Sequence, residues 1–177
     1  MKNPAIKNHL IRTGLMYGAI GGAVVIVLML GLHFMGRNPL IDVRIVDVVI
    51  LAVFLVFSMR EFRDKYNNGA LHYWQGVSIG MVTYFVTALI SAAFILVFVE
   101  FIKPDILQGY VANRLELLAL NKQQLIDTIN AEAYEKAVEG VKKTTASDLA
   151  LDDLLKKSFI GLFLTIIIAV ILRKKPI

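Results

Sequence analysis

The sequence contains no cysteine in its 177 residues, and only 19% of its residues are charged. The lack of cysteine excludes a disulfide framework, a thiolate zinc site and a cysteine nucleophile. The charged fraction lies below the roughly 25% of a soluble domain, while the 57% of hydrophobic residues exceeds the roughly 45–50% usual there. With a mean hydropathy of +0.66, the composition is that of a membrane protein.

Four apolar stretches are close to the roughly 20 residues that a helix needs to cross the hydrocarbon layer. They cover residues 13–35, 40–59, 76–102 and 154–172. Backbone polar groups in lipid must bond within their own segment, which favours helices. We therefore predict an all-α, polytopic membrane protein with four transmembrane helices and an extracytoplasmic helical segment between the third and fourth.

This prediction divides the chain into three parts. The first stretch is longer than the roughly 7–15 apolar residues of a signal peptide and has no small-residue cleavage site behind it, so we interpret it as an uncleaved span. The parts are a three-helix transmembrane region at 1–102, an extracytoplasmic helical segment at 103–153, and a fourth transmembrane helix with a basic tail at 154–177.

The distribution of charge predicts the orientation. The residues before the first span, between the second and third spans, and after the fourth include nine basic and two acidic side chains, whereas segment 103–157 has eight basic and nine acidic. Because cytoplasmic loops carry the excess of lysine and arginine, both termini are expected in the cytoplasm and segment 103–157 on the other side of the membrane. The basic charge reflects topology, so the expected partners are membrane lipids and other transmembrane helices, with no nucleic acid.

Glycines at intervals of four predict helix packing. The first span contains Gly14, Gly18 and Gly22, and the third contains Gly76 and Gly80. Helices in lipid associate mainly by close packing, and small residues one turn apart mark the contact faces. These faces pack either on each other or outward on a partner helix.

Residues 76–80 also match the G-x-S-x-G pattern of a hydrolase nucleophile, with Ser78 at its centre. That motif requires a strand before the serine and a histidine after it. No strand pattern precedes Ser78, and His9, His33 and His72 all come earlier in the chain. We interpret the match as chance and predict no enzyme activity, catalytic residue, cofactor or metal.

A possible polar site lies at the outer mouth of the predicted bundle. The second span reaches membrane length only if it includes charged residues, and an ionisable group inside a membrane suggests a functional site. If the side chains converge, they would bind a proton, a cation or a lipid headgroup; alternatively, Arg44 and Asp47 form an ion pair in the interface, and span ends carry charge because water begins there. The candidates are His33, Asp42, Arg44, Asp47 and Glu100.

The outer segment has helical periodicity. We predict a short helix over about 105–119 and then one amphipathic helix whose apolar stripe runs from Ile126 to Val141. Ser147 is the expected N-cap of a helix that continues into the fourth span, and Lys156 and Lys157 are expected to reach the outer interface.

The glycine-rich first span, the stretch "YWQGVSIGMVTYFVTALISAAFILVFVEFIKPD", the helix "NKQQLIDTINAEAYEKAVEGVKK" and the closing "GLFLTIIIAVILRKK" together resemble the bacterial membrane-protein family "domain of unknown function 4199". The resemblance covers nearly the full length and implies a four-span inner-membrane protein of unassigned function, with no catalytic residues to transfer. The charged stretch "DVRIVDVV" departs from the family pattern.

Three hypotheses for the function remain open. The first is a non-enzymatic accessory or scaffold subunit of an envelope complex, or a homo-oligomer. The second is a small oligomeric transporter or channel with a polar outer mouth. The third is an accessory protein for an enzyme that processes lipids or lipid-linked glycans.

Overall fold

The computed structural model describes residues 4–42 and 44–174, and only the backbone of residues 4, 5, 42, 44 and 45. The described chain is helical. Its helices in chain order are α1 (Pro4–Phe34), α2 (Pro39–Asp42), α3 (Arg44–Glu61), α4 (Tyr73–Val97), α5 (Asp105–Leu120), α6 (Lys122–Ile129), α7 (Ala131–Lys142) and α8 (Ala146–Leu172). Single π-turns, Phe62–Tyr66 and Phe98–Ile102, extend α3 and α4.

The four long helices α1, α3, α4 and α8 form an up-down-up-down bundle in which α4 contacts each of the other three, parallel to α1 and antiparallel to α8. The start of α1 lies beside the connection after α3, where His9 stacks on Tyr66 at 4.5 Å between ring centroids. The end of α8 lies beside the start of α4, where the Leu71 and Lys174 backbones exchange hydrogen bonds of 2.8 and 3.0 Å. Both ends of the described chain and the connection between α3 and α4 therefore share one end of the bundle.

Three helical segments are long and apolar enough to cross a membrane. They are Ile6–Phe34, Tyr73–Ile102 and Ala146–Leu172, which supports an integral membrane protein. The predicted second span corresponds to α3, a helix of 18 residues with Arg44, Asp47, Arg60 and Glu61 near its ends. Because α3 has no more than these 18 residues, its membrane-length stretch includes the charges, whereas the three longer helices each contain an apolar stretch of that length.

The interior of the bundle has two apolar clusters. One, built around Leu55, Phe62 and Ile79, lies towards the shared end; the other, built around Met29, Ile95 and Tyr110, lies towards the opposite end. Buried polar side chains occur along α4 and α8 between and beside these clusters. They include Thr83, Thr87, Ser91, Lys157 and Thr165.

Helices α5 to α7 form a cap at the end of the bundle opposite the chain termini. Helix α5 corresponds to the predicted helix over 105–119. The apolar stripe predicted as one helix is instead divided between α6 and α7, because Asn130 adopts φ 68° and ψ 166°. The side chain of Asn130 accepts a hydrogen bond from the backbone N–H of Ala133 at 3.0 Å, so this residue starts α7 as a new helix.

The N-cap of α8 lies two residues before the predicted cap at Ser147. Thr145 is its N-cap, and the Thr145 hydroxyl accepts from the backbone N–H of Asp148 at 3.2 Å. The Asp148 carboxylate in turn accepts from the backbone N–H of Thr145 at 2.9 Å. These reciprocal bonds form a capping box, and from it α8 continues without a break to Leu172.

Candidate functional site: a buried lysine between two carboxylates

Three glycines of α1 lie directly against α4, namely Gly14, Gly18 and Gly22. A Cβ atom placed on Gly18 would come within 2.7 Å of the Val86 Cβ and 2.8 Å of the Thr83 carbonyl oxygen. The close approach also lets the Thr87 hydroxyl donate to the Gly18 carbonyl at 3.1 Å. Gly14 and Gly22 make the same kind of contact with Val82 and Ile90, so this glycine face packs inside the bundle.

The other glycine pair, Gly76 and Gly80, faces α8. A Cβ atom on Gly76 would lie 2.9 Å from the Ala169 Cβ, and one on Gly80 would overlap the Thr165 side chain. Helix α8 contributes Gly161, where a Cβ atom would lie 2.6 Å from the Tyr84 ring. The sequence analysis did not select Gly161, although Gly161 and Thr165 are small residues four apart on α8.

Small residues thus place α4 very close to both α1 and α8. At such short interhelical distances, only small side chains, several of them polar, fit between the helices. One turn beyond Thr87 on α4, this space contains the Ser91 hydroxyl, which is fully buried.

The Ser91 hydroxyl belongs to an ionic cluster of Asp47, Ser91, Asp153 and Lys157, which we call the Lys157 cluster. The Lys157 ammonium group lies 2.7 Å from a carboxylate oxygen of Asp47 on α3 and 2.6 Å from Asp153 one turn earlier on α8. It also donates to the Ser91 hydroxyl at 2.5 Å. Lys157 and Asp47 are each only 6% exposed. The cluster therefore joins three helices through one buried charge.

Neighbouring residues on α8 form a second, exposed pair. Lys156 binds Asp152, again one turn earlier, but their side chains are 49% and 42% exposed. Adjacent residues on a helix point about 100° apart, so Asp152–Lys156 faces out and Asp153–Lys157 faces in. The prediction that Lys157 reaches the outer interface is therefore wrong, because its partners on α3 and α4 hold it inside the bundle.

A cavity of about 280 Å³ lies next to the Lys157 cluster. Its lining includes Asp47, Asp153 and Lys157 on one side and the exposed Asp152–Lys156 pair on the other, so it extends from the cluster towards the protein surface. A second cavity, of about 350 Å³, lies between α5, α7 and the start of α8 and shares Asp152 and Lys156 with the first.

The remaining outer-mouth candidates have different surroundings. His33 is half-buried and packs edge-on against the Phe98 ring at 5.5 Å between centroids, while Glu100 is exposed. Within residues 4–42 and 44–174, no hydrogen bond or ion pair links either of them to Asp47. The side chains of Asp42 and Arg44 lie outside the described part, and so does the predicted Arg44–Asp47 pair.

The sequence predicted Asp47 as a residue of the polar site, but it did not indicate its partners Ser91, Asp153 and Lys157. A signal for two of them was present, since Asp153 and Lys157 are four apart in a helix that continues into an apolar span. As for metals, the described residues contain no group of three or more histidine, aspartate or glutamate side chains close enough to bind a metal ion together.

A family model described as "Protein of unknown function (DUF4199)" matches residues 16–174. Neither a curated protein nor a solved structure matches the chain. The matched region contains all four long helices in whole or in large part, the cap and the Lys157 cluster. The chain therefore belongs to this family.

Proposed function

We propose that this member of the DUF4199 family is a non-enzymatic protein of the bacterial inner membrane that crosses the membrane four times, with both termini in the cytoplasm. We further propose that it serves as an accessory or scaffold subunit that binds a partner membrane protein through its extracytoplasmic cap. Its up-down-up-down bundle, with both described ends on one side, supports an even number of crossings.

Helix α3 acts as the second span, which is the shortest of the four. At about 1.5 Å per residue, its 18 residues extend about 27 Å, close to the roughly 30 Å of the hydrocarbon layer. Arg60 and Glu61 lie at its cytoplasmic end, where water is accessible, and Asp47 is paired with Lys157. Pairing with an opposite charge reduces the cost of a carboxylate within a span.

The observation that carries the accessory role is the groove in the cap. The 350 Å³ cavity between α5, α7 and α8 has an apolar part formed by side chains such as Leu117, Leu118 and Val141, and its lining also includes the charged Arg114, Asp148, Asp152 and Lys156. Leu117 remains 44% exposed. A groove outside the lipid with both apolar and charged lining suits an amphipathic helix, and we assign it to a helix of a partner membrane protein.

Substitution of the internal glycines does not test this role. Since Gly18 and Gly80 pack on α4 and α8 within one chain, replacing them with leucine would unfold the bundle whether or not a partner exists. The groove allows a cleaner comparison, because Val141 lines it, whereas the adjacent Gly140 has no atom within 4 Å of its Cβ position.

A photoreactive amino acid at position 141, with position 140 as the matched control, tests the proposal in native membranes. We expect an adduct with one membrane protein from position 141 only, and loss of that adduct and of co-purification in Leu117→Lys. An adduct with a second copy of the chain would instead identify a homo-oligomer. Equal labelling from both positions, or lipid adducts alone, would refute a specific docking groove.

The transporter or channel hypothesis has one observation in its favour, the Lys157 cluster, because paired ionisable residues within spans commonly line ion or proton pathways. Four spans are few for an alternating-access carrier, so this function requires an oligomer. An ion or proton flux into proteoliposomes that is lower for Asp47→Asn than for the wild-type protein would support this hypothesis. An equal flux in that variant would exclude the cluster from the pathway.

A further inference from the structure

We propose that Asp47 is a proton-binding residue, and that the proton reaches it from the outer end of the bundle through the 280 Å³ cavity. This assignment is independent of the accessory role, because it depends only on the groups that surround Asp47.

The hydrogen bonds of Lys157 are the first step. A lysine ammonium group has three N–H donors and no acceptor. In this structure its three neighbours are Asp47 at 2.7 Å, Asp153 at 2.6 Å and Ser91 at 2.5 Å. Lys157 therefore has no donor left for the second oxygen of Asp47.

That second oxygen, Asp47 Oδ1, is fully buried and has no hydrogen-bond partner among the described residues. An ionised carboxylate accepts hydrogen bonds at both oxygens, and a buried acceptor without one is costly. Since one lysine faces two carboxylates, the Lys157 cluster also carries one net negative charge when all three groups are ionised.

A proton on Oδ1 addresses both problems. It makes the cluster neutral, and a neutral carboxyl oxygen without a hydrogen-bond partner costs less to bury than an ionised one. The carboxyl gains the proton while Asp47 Oδ2 continues to accept from Lys157, so the three-helix contact is retained. A metal cation fits less well, because the ammonium group of Lys157 would repel it at this distance.

The other described groups around Asp47 leave this balance unchanged. From α8, the cavity is lined by the Asp152–Lys156 pair, which is neutral as a whole, in addition to Asp153 and Lys157. Helix α5 contributes Tyr110, and α1 contributes the apolar Met29. From α4, the polar contact to the cluster is the uncharged Ser91. The side chain of Arg44, on α3 itself, lies outside the described part.

Infrared difference spectroscopy of the full-length protein in lipid, between mildly acidic and mildly alkaline pH, tests the assignment. We expect a C=O stretching band of a buried, protonated carboxyl group that appears on acidification. The band should be lost in Asp47→Asn and kept in Asp152→Asn, the matched control, whose carboxylate borders the same cavity but pairs with exposed Lys156.

A conservative variant covers the case in which Asp47→Asn does not fold. Asp47→Glu keeps a carboxyl group, and the band should then shift to the frequency of a glutamic acid. Absence of any pH-dependent carboxyl band in the wild type, persistence of the band in Asp47→Asn, an unshifted band in Asp47→Glu, or its loss in Asp152→Asn would each overturn the proposal.

Discussion

Replacing Lys157 with methionine measures how much a buried ion cluster stabilises the bundle, for comparison with an exposed ion pair on the same helix. Methionine has a similar length and fits an apolar environment, so the main loss is the charge. Asp47 and Asp153 would then lie in the bundle without their cation. Removing one partner of a buried ion pair costs about 3–5 kcal/mol.

Lys156→Met is the matched control. Lys156 has the same spacing to its aspartate as Lys157, but the Asp152–Lys156 pair is nearly half exposed. Exposed ion pairs contribute about 0–1 kcal/mol. We therefore expect the two variants to differ by roughly 3 kcal/mol in the free energy of unfolding, because Lys157 is buried between two carboxylates whereas Lys156 pairs with one exposed carboxylate.

Unfolding in mixed micelles with increasing denaturing detergent provides the measurement. The triple variant Asp47→Asn, Asp153→Asn, Lys157→Met removes all three charges, and we expect it to recover a large part of the loss, because no uncompensated charge remains. If Lys157→Met and Lys156→Met have equal stability, or if the triple variant is less stable than Lys157→Met alone, the burial argument is wrong.

Three further predictions concern packing and helix ends. Gly18→Ala should destabilise the bundle by about 1–2 kcal/mol, because overpacking against a backbone carbonyl outweighs the gain in helix propensity. In Gly31→Ala the added Cβ meets no atom within 4 Å, so this variant should be neutral or stabilising by up to about 1 kcal/mol. Unfolding of both variants in denaturing detergent checks this. Thr145→Ala should cost about 1 kcal/mol and speed hydrogen exchange in the first turn of α8 only; exchange that is unchanged there would argue against the cap. Asn130→Gly should leave the stability of the cap equal or higher, because Asn130 has φ 68° and ψ 166°, a region that favours glycine; a loss above roughly 1 kcal/mol in thermal unfolding would show that its side-chain bond dominates.

The N-cap of α8 also predicts that the stability of the first turn of this helix depends on pH. Hydrogen bonds from the Thr145 side chain and backbone hold the pKa of Asp148 below its ordinary value. The stabilisation is then present above the ordinary pKa of an aspartate and is lost as pH falls through the lowered value in the folded protein. The protection of the first turn of α8 against hydrogen exchange, measured relative to the intrinsic exchange rate at the same pH, should therefore fall at acidic pH, and a protection with no pH dependence beyond that of Thr145→Ala would contradict it.

Periodicity and composition were sufficient for the general architecture. The apolar stretches predicted an all-helical membrane protein, and the structure confirms a helical chain with three membrane-length helices. The family resemblance is also confirmed. These features depend on local hydrophobicity, which a single sequence records directly.

The contacts between distant residues were harder to predict. Gly14, Gly18 and Gly22 indicated a packing face, but whether it faced α4 or another protein depends on how the helices are arranged in space. The pairing of Asp47 with Lys157 joins residues 110 positions apart, and no local pattern specifies it. Asn130 ended one helix and began another through an unusual backbone conformation, which the regular apolar stripe did not reveal.

Cysteine labelling on either side of α3 tests the central claim that this helix crosses the membrane. The chain has no cysteine, so single substitutions at two exposed positions, Arg37→Cys before α3 and Lys65→Cys after it, give signals without background. In right-side-out membrane vesicles, a membrane-impermeant maleimide should label position 37 directly and position 65 only after permeabilisation. Labelling of both positions from the same side would show that α3 does not cross and would contradict the four-span account.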